Sequence, residues 1–221
     1  MKKTLLVLIS SFIIPGGLFA QKDFQLSFST GPSVNWMNSG TDEISGGNVR
    51  AGYDFGIVAD VFFDEQQRYA VTTGFLLTNS GGELDYHNVT SFGFAGKTIN
   101  PGSSILFRLK YLEVPLAVKL KTSQFRRWIY WGQFGLSGFI NVGAKGDTGD
   151  GVLNWTDIQD EIRPFNLAMN LGIGADFDLG SGNALSFGVI LKDGLTDVTK
   201  EHSADGKTTV NSVVLKLALI F

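Results

Sequence analysis

The feature that most constrains this chain is apolar–polar alternation kept up over unusually long runs. Phe165, Leu167, Met169, Leu171, Ile173, Ala175, Phe177 and Leu179 form one face. Asn166, Ala168, Asn170, Gly172, Gly174, Asp176 and Asp178, small or polar, form the other. A period of two means an extended strand with one apolar face. A half-buried strand of a soluble protein alternates as well, but ordinary strands run ~5–6 residues and this run is much longer. Its polar face carries tiny side chains and carboxylates, which suits the crowded interior of a small barrel.

The pattern recurs along the chain. Tyr53, Phe55, Ile57, Ala59, Val61 and Phe63 oppose Asp54, Gly56, Val58 and Asp60. Leu112, Val114, Leu116, Val118 and Leu120 oppose Glu113, Pro115, Ala117, Lys119 and Lys121. Trp128, Tyr130, Phe134, Leu136, Ile140 and Val142 oppose Gln133, Gly135, Ser137 and Asn141. Leu185, Phe187, Val189 and Leu191 oppose Ser186, Gly188 and Lys192, and Val213 to Phe221 repeats the pattern around Lys216 and Ala218. Two weaker runs, Phe24 to Asn35 and Tyr69 to Thr78, bring the number of candidate strands to eight. Short connections (Asp64 to Arg68, Thr122 to Arg126, Gly180 to Asn183) alternate with long ones (Trp36 to Val49, Asn79 to Ser104, Gly146 to Arg163, Gly194 to Thr209). Outer-membrane barrels sort their connections this way, with short periplasmic turns and long extracellular loops. The expected fold is therefore all-β: an eight-stranded antiparallel transmembrane β-barrel with both termini periplasmic. Ten strands is the alternative, because Asn79–Ser104 is long for a loop.

The N-terminus supplies the route. Met1-Lys2-Lys3, an apolar run broken at Pro15-Gly16-Gly17, and Ala20 before the polar Gln21-Lys22-Asp23 read as a signal peptide over residues 1–20 that is cleaved. Residues 21–221 then form one barrel domain. Without its two leader lysines the chain goes from a net charge of -3 to -5. It carries no basic patch with interleaved aromatics, so nucleic acid is not an expected partner. The absence of cysteine excludes disulfides, Cys-ligated metals and a lipid anchor on Cys.

Threading the strands up and down assigns the aromatics to two girdles. Phe63, Tyr69, Trp128, Tyr130, Phe177 and Phe221 fall at the periplasmic rim, and Tyr53, Phe55, Phe107 and Phe165 at the outer rim. The inward faces carry charge. Lys119, Lys121, Lys192 and Lys216 are the inward cations, and the expected lumen network sets Asp60, Glu113, Asp176 and Asp178 against Lys119 and Lys216. The alternative is that lumen water wets each group separately. Pro115 removes a ladder donor inside a long strand and is expected to mark a bulge.

One segment carries a family resemblance. Tyr111-Leu112-Glu113-Val114-Pro115-Leu116, continued by Ala117-Val118-Lys119-Leu120, resembles the Tyr-Leu-Glu-Ile/Val-Pro-Leu strand of the PorT-like outer-membrane barrels of the Bacteroidetes. The leader ending in Ala-Gln, the early Phe-Ser-Thr-Gly-Pro strand (Phe28 to Pro32) and the terminal Phe221 are similar to that family too. The resemblance covers the mature chain in layout and is sharp only in the hexapeptide. It implies a non-enzymatic, structural or accessory barrel of the cell outer membrane. Expected partners are outer-membrane lipids, the barrel-assembly machinery that reads a terminal Phe, and type IX secretion components through the family's namesake. The hexapeptide is shared widely and does not select the secretion role.

Catalytic signals are sparse, and no enzyme, cofactor or metal is expected. His87 and His202 stand alone in loops without His-x-x-x-His spacing. No Gly-x-Ser-x-Gly occurs, and Gly172-Ile173-Gly174 lies mid-strand with no helix to follow. Asp147, Asp150 and Asp157 miss the EF-hand spacing. Two further functions stay open: a narrow passive porin, and a surface binding module through loop aromatics Trp36, Tyr86, Phe92, Phe94 and Trp155.

Overall fold

Alternating sequences form strands, and strands whose outer face is apolar need every backbone group paired with a neighbour. The computed structural model satisfies that need by closing the sheet on itself. It describes residues 24–87, 89–200 and 206–221. The leader and His202 lie outside the described residues. The strands are β1 (Phe24–Ser39), β2 (Ser45–Gly46), β3 (Arg50–Phe62), β4 (Tyr69–Asp85), β5 (Phe92–Phe94), β6 (Lys97–Ile99), β7 (Ser104–Lys121), β8 (Trp128–Thr148), β9 (Thr156–Asp157), β10 (Phe165–Gly180), β11 (Asn183–Gly194) and β12 (Thr208–Ile220). The eight long ones, β1, β3, β4, β7, β8, β10, β11 and β12, each pair antiparallel with the next in chain order, and β12 pairs back with β1. The barrel has eight strands. The long Asn79–Ser104 stretch adds no wall strand: it prolongs β4 and β7 and closes with the separate β5–β6 hairpin. Among the described residues no helix is long and apolar enough to cross a membrane.

The three short connections gather at one end, the turn end, with both barrel termini. Each contains a non-glycine residue in the left-handed region: Gln67 at φ 53°, Arg126 at φ 59° and Ser181 at φ 57°. That conformation is uncommon without a local reason. In the first turn Asp64 supplies one, because its carboxylate accepts the Arg68 and Tyr69 backbone N–H groups, each at 2.8 Å. Burial works against the charge on Asp64, but these bonds outweigh it and hold the carboxyl below the usual carboxylate range. In the third turn Gly180 at φ 88° precedes Ser181 and Gly182 at φ 84° follows it, so three consecutive positive φ values make the tight reversal.

At the opposite, loop end, strands β4, β7 and β8 extend well past the neighbouring wall, and the long connections fold onto them. There Ile44, Leu84, Tyr86, Phe94, Ile99 and Phe107 join other buried side chains in one apolar cluster that roofs the barrel. Polar ties link the segments of this roof. The Ala95 N–H donates to Glu161 Oε1 at 2.8 Å, Lys97 Nζ to the Val152 carbonyl at 2.6 Å, and Arg163 pairs with Asp197 at 3.3 Å.

The outer wall is apolar, and aromatics stand at both ends of it, with Phe28, Phe134 and Phe187 exposed between them. Phe63, Tyr69, Trp128, Tyr130 and Phe221 are exposed at the turn end, with Phe177 half-buried against Trp128. Tyr53, Phe55 and Phe165 are exposed toward the loop end. Phe107 departs from the girdle assignment: it is 0% exposed and packs edge-on against Phe94 in the roof. Its odd position on β7 shares the inner face with Glu113. Pro115 also departs from expectation. It stays in register opposite Ser137, and the irregularity falls between Lys110 and Tyr111, where β8 carries one extra residue. On the β4 side, where its missing N–H matters, Pro115 leaves a gap in the paired ladder between Thr73↔Leu116 and Leu76↔Glu113 without shifting the register.

Candidate functional site

The inward side chains of an eight-stranded barrel must fill its interior, and here they do so in layers. The layer nearest the turn end holds Lys121 on β7. Its Nζ lies 3.0 Å from Asp176 Oδ2 on β10 and donates to Gln25 Oε1 on β1 at 2.9 Å. A polar recess of about 570 Å³, lined by Gln25, Arg68, Lys121 and Gln124 among others, opens below it to the outside.

The middle layer is built on Trp131 of β8, a side chain only 3% exposed. Its ring lies where β10 and β11 carry Gly174 and Gly188. A Cβ at Gly174 would fall 2.3 Å from a ring carbon, and one at Gly188 2.5 Å, so only glycine admits the indole. The indole N–H donates to Ser186 Oγ at 3.2 Å. Lys119 and Lys216 each place Nζ 5.1 Å from the ring centroid, within cation–π range. Lys119 is anchored by Asp60 at 2.7 Å, and Asp60 also accepts from Thr72 Oγ1 at 2.5 Å.

The upper layer centres on Lys192 of β11. Its Nζ donates to Glu113 Oε2 at 2.6 Å and to Asp54 Oδ2 at 3.2 Å. Glu113 Oε2 also accepts from Thr78 Oγ1 at 2.8 Å. The hub thus joins β3, β4, β7 and β11 across the lumen. Beside it, Asn170 donates to Ser137 at 3.0 Å, linking β10 to β8.

Four carboxylates (Asp54, Asp60, Glu113, Asp176) and four ammonium groups (Lys119, Lys121, Lys192, Lys216) therefore share the interior. The balance is the condition under which buried charge is tolerable, since an isolated ion in a low dielectric is very costly. Two cavities of about 30 Å³ lie among the layers, one on each side of the Lys192 hub, each with room for about two waters.

The pairing differs in detail from the network expected from sequence. Asp60 does meet Lys119. Glu113 pairs with Lys192 instead of Lys119 or Lys216, and Asp176 pairs with Lys121. Lys216 lies over Trp131 and has no carboxylate within ion-pair distance among the described residues. Asp178 is outside the lumen. It caps the β10–β11 turn, accepting from the Gly180 N–H at 2.7 Å and from Gln124 Nε2 at 3.2 Å. Lys192 and Asp54 were visible as inward residues without their role as a hub. Trp131 was missed, although it shares its face with Gln133, Gly135 and Ser137 and that alternation could have found it.

The loop residues also sort differently. Tyr86 and Phe94 are each 2% exposed, and Phe92 packs against Tyr86 at 4.9 Å, so all three belong to the roof. Trp155 is 58% exposed and holds φ 47°. Asp147, Asp150 and Asp157 are occupied separately. Asp147 takes Arg108 at 2.6 Å and the Trp155 N–H at 2.7 Å, Asp150 takes Thr148 and the Val152 N–H, and Asp157 takes the Gln159 N–H. Among the described residues no group of three His, Cys, Asp or Glu could hold a metal ion.

No curated protein sequence matches the chain. Among solved structures it is similar to Neisserial surface protein A (NspA), at 12% identity over 88% of this chain and 95% of that one, with a TM-score of 0.48. It is similar to OprG of Pseudomonas aeruginosa at 12% identity, over 90% and 94%, with a TM-score of 0.44. It is similar to Ail of Yersinia pestis at 11% identity, over 90% and 99%, with a TM-score of 0.40. Likenesses this distant carry nothing about activity. The family model for the outer membrane protein beta-barrel domain matches residues 19–200. That span takes in most of the closed barrel and its charged lumen, and the chain belongs to the outer membrane protein beta-barrel domain family.

Proposed function

We propose that this protein is a non-enzymatic, non-conducting outer-membrane barrel with a structural or accessory role. One observation carries the reading: the lumen is crossed by layers of paired charge and a wedged tryptophan, beneath an apolar roof. A passive pore needs a continuous water path, and neither the layers nor the 30 Å³ cavities provide one. In planar bilayers the purified protein is expected to give no discrete single-channel steps. Steps from the unmodified protein would favour the narrow-porin alternative and overturn this reading.

The orientation follows from the sorting of connections. The short turns and both termini sit in the periplasm, and the roof stands outside the cell. On this reading the leader ends at Ala20, and N-terminal sequencing of the mature protein is expected to start at Gln21. The terminal Phe221, whose N–H donates to the Leu26 carbonyl at 3.0 Å, is the residue offered to the barrel-assembly machinery.

The finer assignment, to the PorT-like barrels of the Bacteroidetes and to type IX secretion, is supported by the Tyr111–Leu116 segment. Glu113, its one charged member, is the carboxylate at the centre of the upper lumen layer. Deleting the gene and measuring export of a type IX cargo tests the secretion role, and unchanged export removes it. A second reading, a surface binding module, draws on exposed Trp155, whose ring carries Arg108 at 4.5 Å and Lys145 at 5.6 Å.

A further inference from the structure

The outer face of the wall changes character at one level. On β7 the outward residues from Leu120 to Leu112 are apolar, and the next two are Lys110 and Arg108. On β8 the outward row ends at Val142, and Lys145 follows beyond the extra residue. Arg108 and Lys145 are register partners, so they share this face, and Lys110 lies opposite Asn79, which lies opposite Tyr53 of the aromatic rim. The cations therefore begin where the apolar band stops. On β11 the corresponding row from Leu185 to Leu191 runs into Asp193 instead. The cationic edge belongs to one side of the barrel.

The cluster is partly pre-set. Arg108 is fixed by Asp147 at 2.6 Å and lies against the Trp155 ring at 4.5 Å. Arg50, the register partner of inward Asn35, is engaged separately, donating to the Ser80 carbonyl at 2.6 Å. Asp157 is the register partner of Lys145. Even so, neither Lys110 nor Lys145, both exposed, forms an ion pair among the described residues. Glu83 shares this face and is held by Asn48 Nδ2 at 2.6 Å, and Asp147 is taken by Arg108, so the positive charge left over is that of Lys110 and Lys145. Such a site suits an anion at the membrane interface, where cations attract the phosphates of anionic lipids and an arginine fork matches phosphate oxygens.

We propose that Arg108, Lys110 and Lys145 form a docking site for the phosphate groups of a phosphorylated glycolipid headgroup in the outer leaflet. The site rests on the orientation given above, which puts the loop end outside the cell. Arg108 is the fixed donor, Lys110 and Lys145 supply the free charge, and Trp155 stands over them.

The test uses the full-length protein in nanodiscs containing either diphosphorylated lipid A or its dephosphorylated form, with bound lipid read by native mass spectrometry. The expected result is selective retention of the diphosphorylated form. The double variant Lys110→Ala/Lys145→Ala reduces it at least tenfold, and retention weakens steeply with salt. Both side chains are exposed, and an unchanged heat-modifiable gel shift shows that the variant still folds. Equal retention of the two lipids, or no loss in the variant, overturns the proposal. A separate arm reads orientation in a chain that has no cysteine of its own. Asp42→Cys at the loop end is labelled on intact cells by an impermeant maleimide, and Gln66→Cys at the turn end is not. The reverse pattern shows that the orientation itself has failed, and the outer-leaflet site falls with it.

Discussion

Two regions of this barrel solve the problem of an interior in opposite ways. The lumen is filled with paired charges, hydroxyls and amides, whereas the roof at the loop end is an apolar core like that of a soluble domain. One strand passes through both. On the inner face of β7, Lys121, Lys119 and Glu113 line the lumen, and beyond Tyr111 the same face carries Leu109, Phe107 and Ile105, all 0% exposed. The outer face inverts at the same level, from Leu112 to Lys110 and Arg108. β1 repeats the change, with Ser33 and Asn35 giving way to Met37 inside. The cause is the surroundings. Where lipid lies outside, the apolar side chains belong on the outer face and the enclosed polar ones must satisfy each other. Where water lies outside, burial of apolar area drives the inner face instead. Along β7 the inversion marks the edge of the apolar band.

Several changes would break or sharpen this contrast. The largest effect belongs to the lumen. Glu113→Ala leaves Lys192 with Asp54 alone and removes the acceptor of Thr78. Breaking a buried pair costs about 3–5 kcal/mol, and the whole barrel shares the layer. Thermal unfolding in detergent drops as a single transition, and the folded band weakens on unheated gels. Trp131→Ala removes the wedge between β8, β10 and β11, and bilayer recordings then detect small conductance steps that the unmodified protein lacks.

In the roof, Phe94→Ala costs about 3 kcal/mol, but locally. Hydrogen exchange quickens in residues 84–107 and 153–162, while the amides of β10–β12 keep their protection. If the transmembrane wall unfolds with it, roof and lumen are one cooperative unit and the contrast fails.

The band edge makes a smaller, graded prediction. Leu116→Lys, on the outer face at mid-band, costs about 2–4 kcal/mol, whereas Leu106→Lys, on the same face beyond Arg108, costs under ~1 kcal/mol. Equal costs in folding titrations from urea into lipid would move the edge. The smallest effect is acid-dependent. Thr148 and the Val152 N–H hold the Asp150 carboxyl below its usual range. Burial works against the charge on Asp147, but Arg108 and the Trp155 N–H outweigh it. A depressed folded value means that the stabilisation is fully present above the unfolded value of ~3.9 and is lost as pH falls through the folded one. Acidifying from pH 6 to pH 3 therefore loosens the loop around Trp155, read as a shift in its fluorescence, before the barrel unfolds. An unchanged emission would mean that these bonds do not hold the loop.

Much of the architecture was legible because a strand's side chains alternate with a period of two. Parity alone assigns Glu113 and Lys119 inward, Leu116 outward, and the sorted connections order the strands. Parity also held two answers that were not drawn from it, Phe107 facing in and Trp131 lying among the small inner residues. What alternation cannot carry is partnership. Glu113 meets Lys192, 79 residues away along the chain, only because closure brings β7 and β11 across one lumen. Asp178 has the parity of Asp176, yet it sits one step past the last layer and caps a turn. The sequence by itself determined the strands, their faces and the polar character of the inside. Only the tertiary structure decided which charges pair, that Gly174 and Gly188 make room for an indole, and that the long loops close into an apolar roof. Those outcomes depend on distances across the barrel, which local periodicity does not encode.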